Sequence, residues 1–336
     1  PYKSLLTHAF TVHGQGRKMS KSVGNTVAPQ EISAKLGAEI IRLWVASTDY
    51  SGDLGIDDKI LARVVDSYRR IRNTLRFLLA NTSDFDPAKD AVAVEDLLEV
   101  DRYAIAKAAQ LQQSILAHYD VYEFHPVVSK VQIYCSEELG AFYLDILKDR
   151  LYTTAADSKA RRSAQTALWH ITHAMLRWMA PFLSFTAEEA WAAFDKNQDS
   201  IFIQTFWDFP NVGSELITKW DHVRSVRDTA NKAIEDLRAQ GKVGASLQAD
   251  ITIHAPQETL THLDTLGDEL RFAFITSRVS CVLSDALRVE VKTSDGTKCQ
   301  RCWHYTDDVG SDSTHPALCA RCVSNLTGTG ETRRYV

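Results

Sequence analysis

The stretch Asp57-Asp58-Lys59-Ile60-Leu61-Ala62-Arg63-Val64-Val65-Asp66-Ser67-Tyr68-Arg69-Arg70-Ile71-Arg72-Asn73-Thr74-Leu75-Arg76-Phe77-Leu78-Leu79 decides the fold class. Its apolar residues Ile60, Leu61, Val64, Val65, Tyr68, Ile71, Leu75 and Leu78 recur at three- and four-residue spacing, which puts them on one stripe of an amphipathic helix. Asp84-Phe85-Asp86-Pro87 ends the pattern. Three further long segments, about 97–118, 124–149 and 158–180, repeat it, and a shorter one runs from about 186 to 195. In that last segment Thr186 and Glu189 read as a capping box. Successive long helices with short breaks predict a mainly α protein built on an antiparallel helical bundle.

Upstream, residues 1–28 read as short strands and a glycine-rich loop, His13-Gly14-Gln15-Gly16. Pro29 suits a first helical turn. A short helix over 30–36 is stopped by Gly37, and a second runs over 38–47. Downstream the character changes at Phe206-Trp207-Asp208-Phe209-Pro210. One more helix over 215–240 stops at Gly241, and alternating segments at 248–254 and 287–292 read as strands of a small α+β unit. The expected division is 1–55, a helical domain over 56–210, the α+β unit over 211–292, and a cysteine-bearing tail over 293–336.

Size and composition bound the function. A chain of 336 residues predicts two or three domains at roughly 150 residues each. Its net charge of -5 gives no global basic field, so a nucleic-acid partner must be held by local basic patches. No apolar run approaches the roughly 20 residues that span a bilayer, so no membrane partner is expected. The start at Pro1-Tyr2-Lys3 lacks Met, which reads as a processed or truncated N-terminus. Four of six cysteines cluster near the end while Cys135 and Cys281 are scattered, which is no disulfide framework and points to a reducing cytoplasm.

The clustered four are Cys299, Cys302, Cys319 and Cys322, two Cys-x2-Cys knuckles sixteen residues apart. Each knuckle places two sulfurs on one side of a turn, and two knuckles complete a tetrahedral thiolate shell for one structural Zn2+. His304 and His315 lie nearby as spectators. A four-thiolate zinc shell carries net charge of about minus two. Lys298, Arg301, Arg321, Arg333 and Arg334 can offset it or reach phosphate. Trp303 is expected to cover the site rather than stack on a base.

The second signal is Gly14-Gln15-Gly16-Arg17-Lys18-Met19-Ser20-Lys21-Ser22-Val23-Gly24-Asn25, with cations and hydroxyls bounded by glycines. Such a loop can close over a polyphosphate, with lysines neutralising its charge and serines donating to it.

Lys18-Met19-Ser20-Lys21-Ser22 resembles the signature loop of class I aminoacyl-tRNA synthetases. The segment from Gly37 to Ser47, Ser67-Tyr68-Arg69-Arg70-Ile71-Arg72-Asn73-Thr74, and the segment from Met179 to Glu189 resemble the isoleucine/valine/leucine subgroup. Lys298-Cys299-Gln300-Arg301-Cys302-Trp303 narrows the resemblance to bacterial isoleucyl-tRNA synthetases, since a valine enzyme would be expected to end in a coiled-coil arm. The resemblance implies a cytoplasmic, monomeric ligase that activates isoleucine with ATP and Mg2+ and transfers it to tRNA(Ile). It implies that Lys21 contacts the ATP phosphates, that Lys18 shares this role, and that Ser20 and Ser22 order the loop or bond phosphate. The family's other ATP motif, His-Ile-Gly-His, is absent, and the editing domain would lie upstream. The chain therefore reads as the C-terminal portion of such an enzyme, inactive in aminoacylation alone, whose own task is tRNA binding. Arg69, Arg70, Arg72, Arg76, Arg161, Arg162 and Arg177 are candidate RNA contacts, with Trp169 and Trp178 as weaker ones.

Two other readings compete. Formamidopyrimidine-type DNA glycosylases also end in a four-cysteine zinc finger and begin with a catalytic proline, but that family needs Glu where this chain has Tyr2. A free-standing RNA-binding module would not need the signature loop intact at every position.

Overall fold

A computed structural model describes residues 2–14, 16–195 and 199–336, so Pro1 and Gln15 lie outside the described residues. Helices dominate, as the periodicity predicts. In chain order they are α1 (Pro29–Leu36), α2 (Ala38–Ser47), α3 (Asp58–Asn81), α4 (Pro87–Asp90), α5 (Glu99–Asp120), α6 (Phe124–Ile133), α7 (Leu144–Thr153), α8 (Lys159–Met179), α9 (Ser184–Phe194), α10 (Glu215–Ala239), α11 (Gln257–Asp264), α12 (Leu270–Phe274) and α13 (Ala320–Thr327). Among the described residues no helix is long and apolar enough to cross a membrane. The chain forms two compact units, one of residues 1–84, 108–141 and 168–209, the other of residues 85–107, 142–167 and 210–336.

In the first unit β1 (Thr11–His13) pairs in parallel with β2 (Leu54–Ile56), Thr11 opposite Leu54. Pro29 opens α1 where a missing N–H costs nothing, and Gly37, at φ 92, ends it. Asp57 starts α3 by accepting the N–H of Ile60 at 2.7 Å. The expected stripe of α3 is buried at Leu61, Val64, Ile71, Leu75 and Leu78.

Two local expectations fail in this part of the chain. The single helix expected over 124–149 is wound as a π-helix from Tyr134 to Tyr143, between α6 and α7. Gly140 suits that wide turn, because a Cβ there would lie 2.9 Å from the Cys135 carbonyl oxygen. The Thr186–Glu189 capping box does not form either. Helix α9 starts at Ser184, and buried Thr186 places its hydroxyl 3.0 Å from that of Tyr68. The cap comes instead from α2, where Glu39 Oε1 accepts the N–H of Phe185 at 3.0 Å. Burial raises the Glu39 carboxyl, against the lowering effect of bonds from Phe185 and Thr186. One turn on, Arg42 donates to the carbonyls of Pro181 and Phe182 and to the Ser184 hydroxyl. A cap supplied across 146 residues leaves no local signature.

An aromatic and imidazole stack fills another part of this unit. Trp207 lies flat on His173 at 4.0 Å and donates its N–H to His170 Nδ1 at 3.1 Å. Arg177 donates to the carbonyls of His173 and Thr205 beneath it. Burial lowers His170 to about 4, and burial with Arg177 and His170 alongside lowers His173 to about 3.

The second unit is organised around Asp101, which is fully buried. Its carboxylate accepts from the Tyr143 hydroxyl at 2.7 Å, from Arg150 Nη1 at 3.0 Å, from Arg150 Nη2, and from the Ser163 hydroxyl. Helix α10 joins the same core through Trp220, whose N–H reaches Glu99 at 2.9 Å. Next comes a three-stranded sheet. Central β3 (Ala249–Ala255) pairs in parallel with β4 (Arg278–Leu283) and antiparallel with β5 (Arg288–Thr293). The alternation predicts β3 and β5 but misses β4, an edge strand whose residues are all at least partly exposed. A short hairpin of β6 (Thr297–Lys298) and β7 (Tyr305–Thr306) leads to α13.

Two outcomes are expected in urea unfolding. Asp101→Ala strands the buried Arg150 guanidinium and should cost about 3–5 kcal/mol, whereas Tyr143→Phe should cost about 1–2 kcal/mol. The histidines set a pH dependence. Unfolded imidazoles titrate near the ordinary value of about 6.5, while His170 and His173 resist protonation until about 4 and about 3. The unfolded chain therefore binds more protons in that window, so the stability read by Trp fluorescence should fall as pH drops from 6.5 toward 4. A flat profile in His170→Gln/His173→Gln chains would assign the slope to these rings.

Candidate functional site

The four clustered cysteines converge. Their sulfurs all lie within 4.8 Å of one another, and all four side chains are buried. Cys302 Sγ and Cys319 Sγ are 3.7 Å apart, close to the roughly 3.8 Å edge of a tetrahedron with Zn–S bonds of about 2.3 Å. The first knuckle is held by Cys299 N–H donating to the His304 carbonyl and Trp303 N–H to the Cys299 carbonyl, both at 2.9 Å. Trp303 takes φ 65 to close that turn. The second knuckle is the start of α13, with Cys319 at its N-cap and Cys322 in its first turn. Gly296 is required before β6, since a Cβ would lie 2.7 Å from the Thr306 nitrogen.

The donor set fits a divalent soft cation. Four sulfurs this close cannot all ionise without one. Hydrogen bonds from Cys319 and Cys322 push the Cys302 thiol down, while contact with Cys302 pushes Cys319 and Cys322 up. A zinc ion there would take all four as thiolates and act as a structural staple for a tail with little core of its own. Val309 and Leu318 pack against the cysteines. Trp303 is 58% exposed, with Lys298 Nζ 5.0 Å over its ring.

Asp149 on α7 organises the charge beside this shell. Arg321 donates to both its oxygens at 2.7 and 2.9 Å, and Arg333 donates to one of them. Burial alone would raise the Asp149 carboxyl, but Arg321 and Arg333 hold it well below the usual carboxylate range. Glu331 accepts from both arginines at 3.1 Å. Arg333, Arg271 and Arg321 lie 3.4, 4.8 and 5.0 Å from the centre of the Phe272 ring. Arg321 and Arg333 thus share Asp149 and Glu331, while Arg271 is drawn to Asp268 and Glu331. Arg321 and Arg333 are therefore charge-compensating groups with their donors engaged. His304 is buried with Nδ1 3.9 Å from Asp149. Asp149, Glu331 and Phe272 escaped the sequence reading, because nothing near them in the chain marks the contacts.

The Lys18–Ser22 loop of the first unit is tied by its own residues. Asn25 Oδ1 accepts the Ser20 N–H at 2.8 Å, and its Nδ2 donates to the Lys18 carbonyl at 3.1 Å. Ser20 and Ser22 hydroxyls pair at 2.7 Å, and Lys21–Val23 form a 3-10 turn closed by Gly24 at φ 70. Lys18 and Lys21 are both exposed. Lys18 Nζ sits 5.9 Å from the Phe10 ring. A cavity of about 1060 Å³ nearby is lined by His13, Thr26, Glu31, Lys35 and Asp57 among others, and none of residues 18–22 lines it.

The candidate RNA contacts separate. Arg69, Arg70 and Arg76 are exposed on α3, where Lys59 and Arg63 extend the basic stripes at helical spacing. Arg72 is engaged by Tyr68 and Glu189, and Arg162 lies 3.5 Å from Asp90. Arg161 bonds the Ala156 carbonyl. Arg177 is buried, and Trp178 is fully buried with its N–H on Gln112 at 2.9 Å, so both belong to the core. Trp169 is half-buried, edge-on to His173 and Trp207.

Comparison with known proteins matches three stretches of the chain. The family model "tRNA synthetases class I (I, L, M and V)" matches residues 1–57, "Anticodon-binding domain of tRNA ligase" matches 101–253, and "Zinc finger found in FPG and IleRS" matches 296–325. The isoleucine–tRNA ligase of Ralstonia pickettii is 60% identical over 341 residues, covering 99% of this chain and 36% of the relative. That of Cupriavidus necator is 59% identical over 344 residues, covering 100% of this chain and 36% of the relative. The chain thus spans about a third of the length of the curated relatives it matches. A crystal structure of an Agrobacterium radiobacter LeuRS–tRNA–LeuAMS ternary complex is similar at TM-score 0.44 and 15% identity, over 82% of this chain and 32% of that one, a likeness too low to bear on function.

Cys319→Ser should lower zinc affinity by roughly tenfold or more, measured as metal retained per chain against a competing chelator. The far-ultraviolet signal of the helices should persist.

Proposed function

We propose a function from the premise that this chain belongs to the class I aminoacyl-tRNA synthetases, as a portion similar to isoleucine–tRNA ligases. The chain is a portion of an enzyme that activates isoleucine with ATP and Mg2+ and transfers it to tRNA(Ile). One observation carries this reading. A self-tied Lys18–Ser22 loop with two exposed lysines and a convergent four-cysteine shell occur on the same chain.

In the activation step the isoleucine carboxylate attacks the α-phosphate and pyrophosphate leaves. Lys21, and with it Lys18, stabilises the negative charge on the phosphates and transfers no proton. The bonded pair Ser20 and Ser22 orders the loop. Cys299, Cys302, Cys319 and Cys322 hold one structural zinc. The domain plan is the end of the catalytic domain over 1–55, an anticodon-binding helical domain over 56–210, a junction over 211–292 and a zinc-bearing tail over 293–336. The chain works as a monomer in the cytoplasm. The glycosylase reading accounts for the cysteine shell but leaves the signature loop unexplained.

The RNA-facing surface is the exposed basic side of α3. Binding of tRNA(Ile) to the chain should weaken as salt rises, because phosphate contacts release counterions. Arg70→Ala should weaken binding and flatten the log–log salt slope by about 1. A salt-independent affinity in a filter-binding titration would remove tRNA binding from this surface.

A further inference from the structure

Residues 331–336 run as a strap between the zinc-finger helix and the start of α5. At one end Glu331 donates its N–H to Asn325 of α13 at 2.8 Å and accepts from the Asn325 side chain at 2.9 Å and from Arg321 at 3.1 Å. Arg321 lies between Cys319 and Cys322 in sequence, so its position is set by the second knuckle. At the other end Glu269 accepts the backbone N–H groups of Arg334, Tyr335 and Val336, each at 2.8 Å. With the strap so held, the Arg334 carbonyl accepts the N–H of Glu99 at 3.2 Å and the Tyr335 carbonyl that of Val100 at 2.9 Å. Those are first-turn amides of α5, which no intrahelical acceptor can satisfy. Arg333 ties the middle, bonding Glu331, Asp149 and the Val336 carbonyl.

We propose that zinc binding and the capping of α5 are one coupled equilibrium, with Arg321, Glu331 and Arg333 as the positioning residues that connect them. Zinc fixes the second knuckle, the knuckle fixes Arg321 and Asn325, these seat Glu331, and the seated strap presents two carbonyls to α5. Helix α5 also carries Asp101, on which the second unit is built. The metal therefore acts on the helical core through the strap as well as on its own tail. Coupling between two binding equilibria is reciprocal, so loosening the far end of the strap must weaken zinc binding although no cysteine has changed.

The inference rests on the proposed zinc site, and the test separates the two. Metal analysis of the purified chain should give one zinc per chain, and its absence would overturn the zinc assignment and the coupling with it. Amide exchange is then followed by mass spectrometry with and without chelator under reducing conditions. Exchange at Glu99 and Val100 should accelerate about tenfold or more on zinc removal. A zinc-loaded chain whose Glu99 and Val100 exchange ignores chelation would overturn the coupling alone. Glu269→Gln, remote in sequence from the cysteines, gives the reciprocal reading. It should speed exchange at Glu99 and Val100 and lower zinc affinity by a comparable factor, whereas unchanged zinc affinity would overturn the proposal. Should Glu269→Gln fail to fold, Arg333→Lys, which keeps the charge but loses the fork, carries the same comparison.

Discussion

Two adjacent charges on α7 organise the second unit. Arg150 meets Asp101, and Asp149 meets Arg321 and Arg333. A charge taken out of water costs several kcal/mol unless a partner and hydrogen bonds replace the solvent. Arrangements of α5, α7 and α8 that separate Arg150 from Asp101 are therefore excluded, whatever apolar contacts they would make. Asp149 imposes the same condition on the tail. Its oxygens accept from two guanidinium groups, so α13 and the strap must both dock in register for either charge to be buried. Hydrophobic contact alone tolerates many packings, and these pairs select among them.

The two sites obtain their geometry differently. The signature loop is local. Asn25 bonds two backbone groups of residues 18–20, Gly24 supplies the left-handed turn, and a bridge from Lys18 to Val12 joins the loop to β1, so neighbouring residues contain the whole arrangement. The cysteine shell is local within each knuckle but not between them. Its halves are brought together by the β6–β7 hairpin and the start of α13, and the arginines beside them are anchored by Asp149, far away in sequence. A shell wired into an ion-pair network suits a structural metal.

The periodicity located nearly every long helix because burial of one stripe is a local consequence of 3.6-residue winding. It failed where another part of the chain intervened. Glu39 caps α9 in place of Thr186, the π-helical stretch hides inside an ordinary amphipathic pattern, and β4 is too exposed to alternate clearly. Among the arginines read as RNA contacts, Arg69, Arg70 and Arg76 remained exposed while Arg177 went to the core. Helical spacing gives a residue its face, but which faces are covered depends on neighbours distant in sequence.

By itself the sequence determined the helical class, the approximate extents of α1, α2 and α3, the lysine and serine order of the signature loop, and the four cysteines. Each follows from interactions spanning a few residues, namely caps, stripes, turns and ligand spacing. The tertiary structure alone decided that Asp149 would neutralise arginines 172 and 184 residues away, that Trp303 would face solvent, and that a strap would cap α5. Those outcomes depend on which charges and amides lose their water together, and only the folded chain brings such groups within reach of one another.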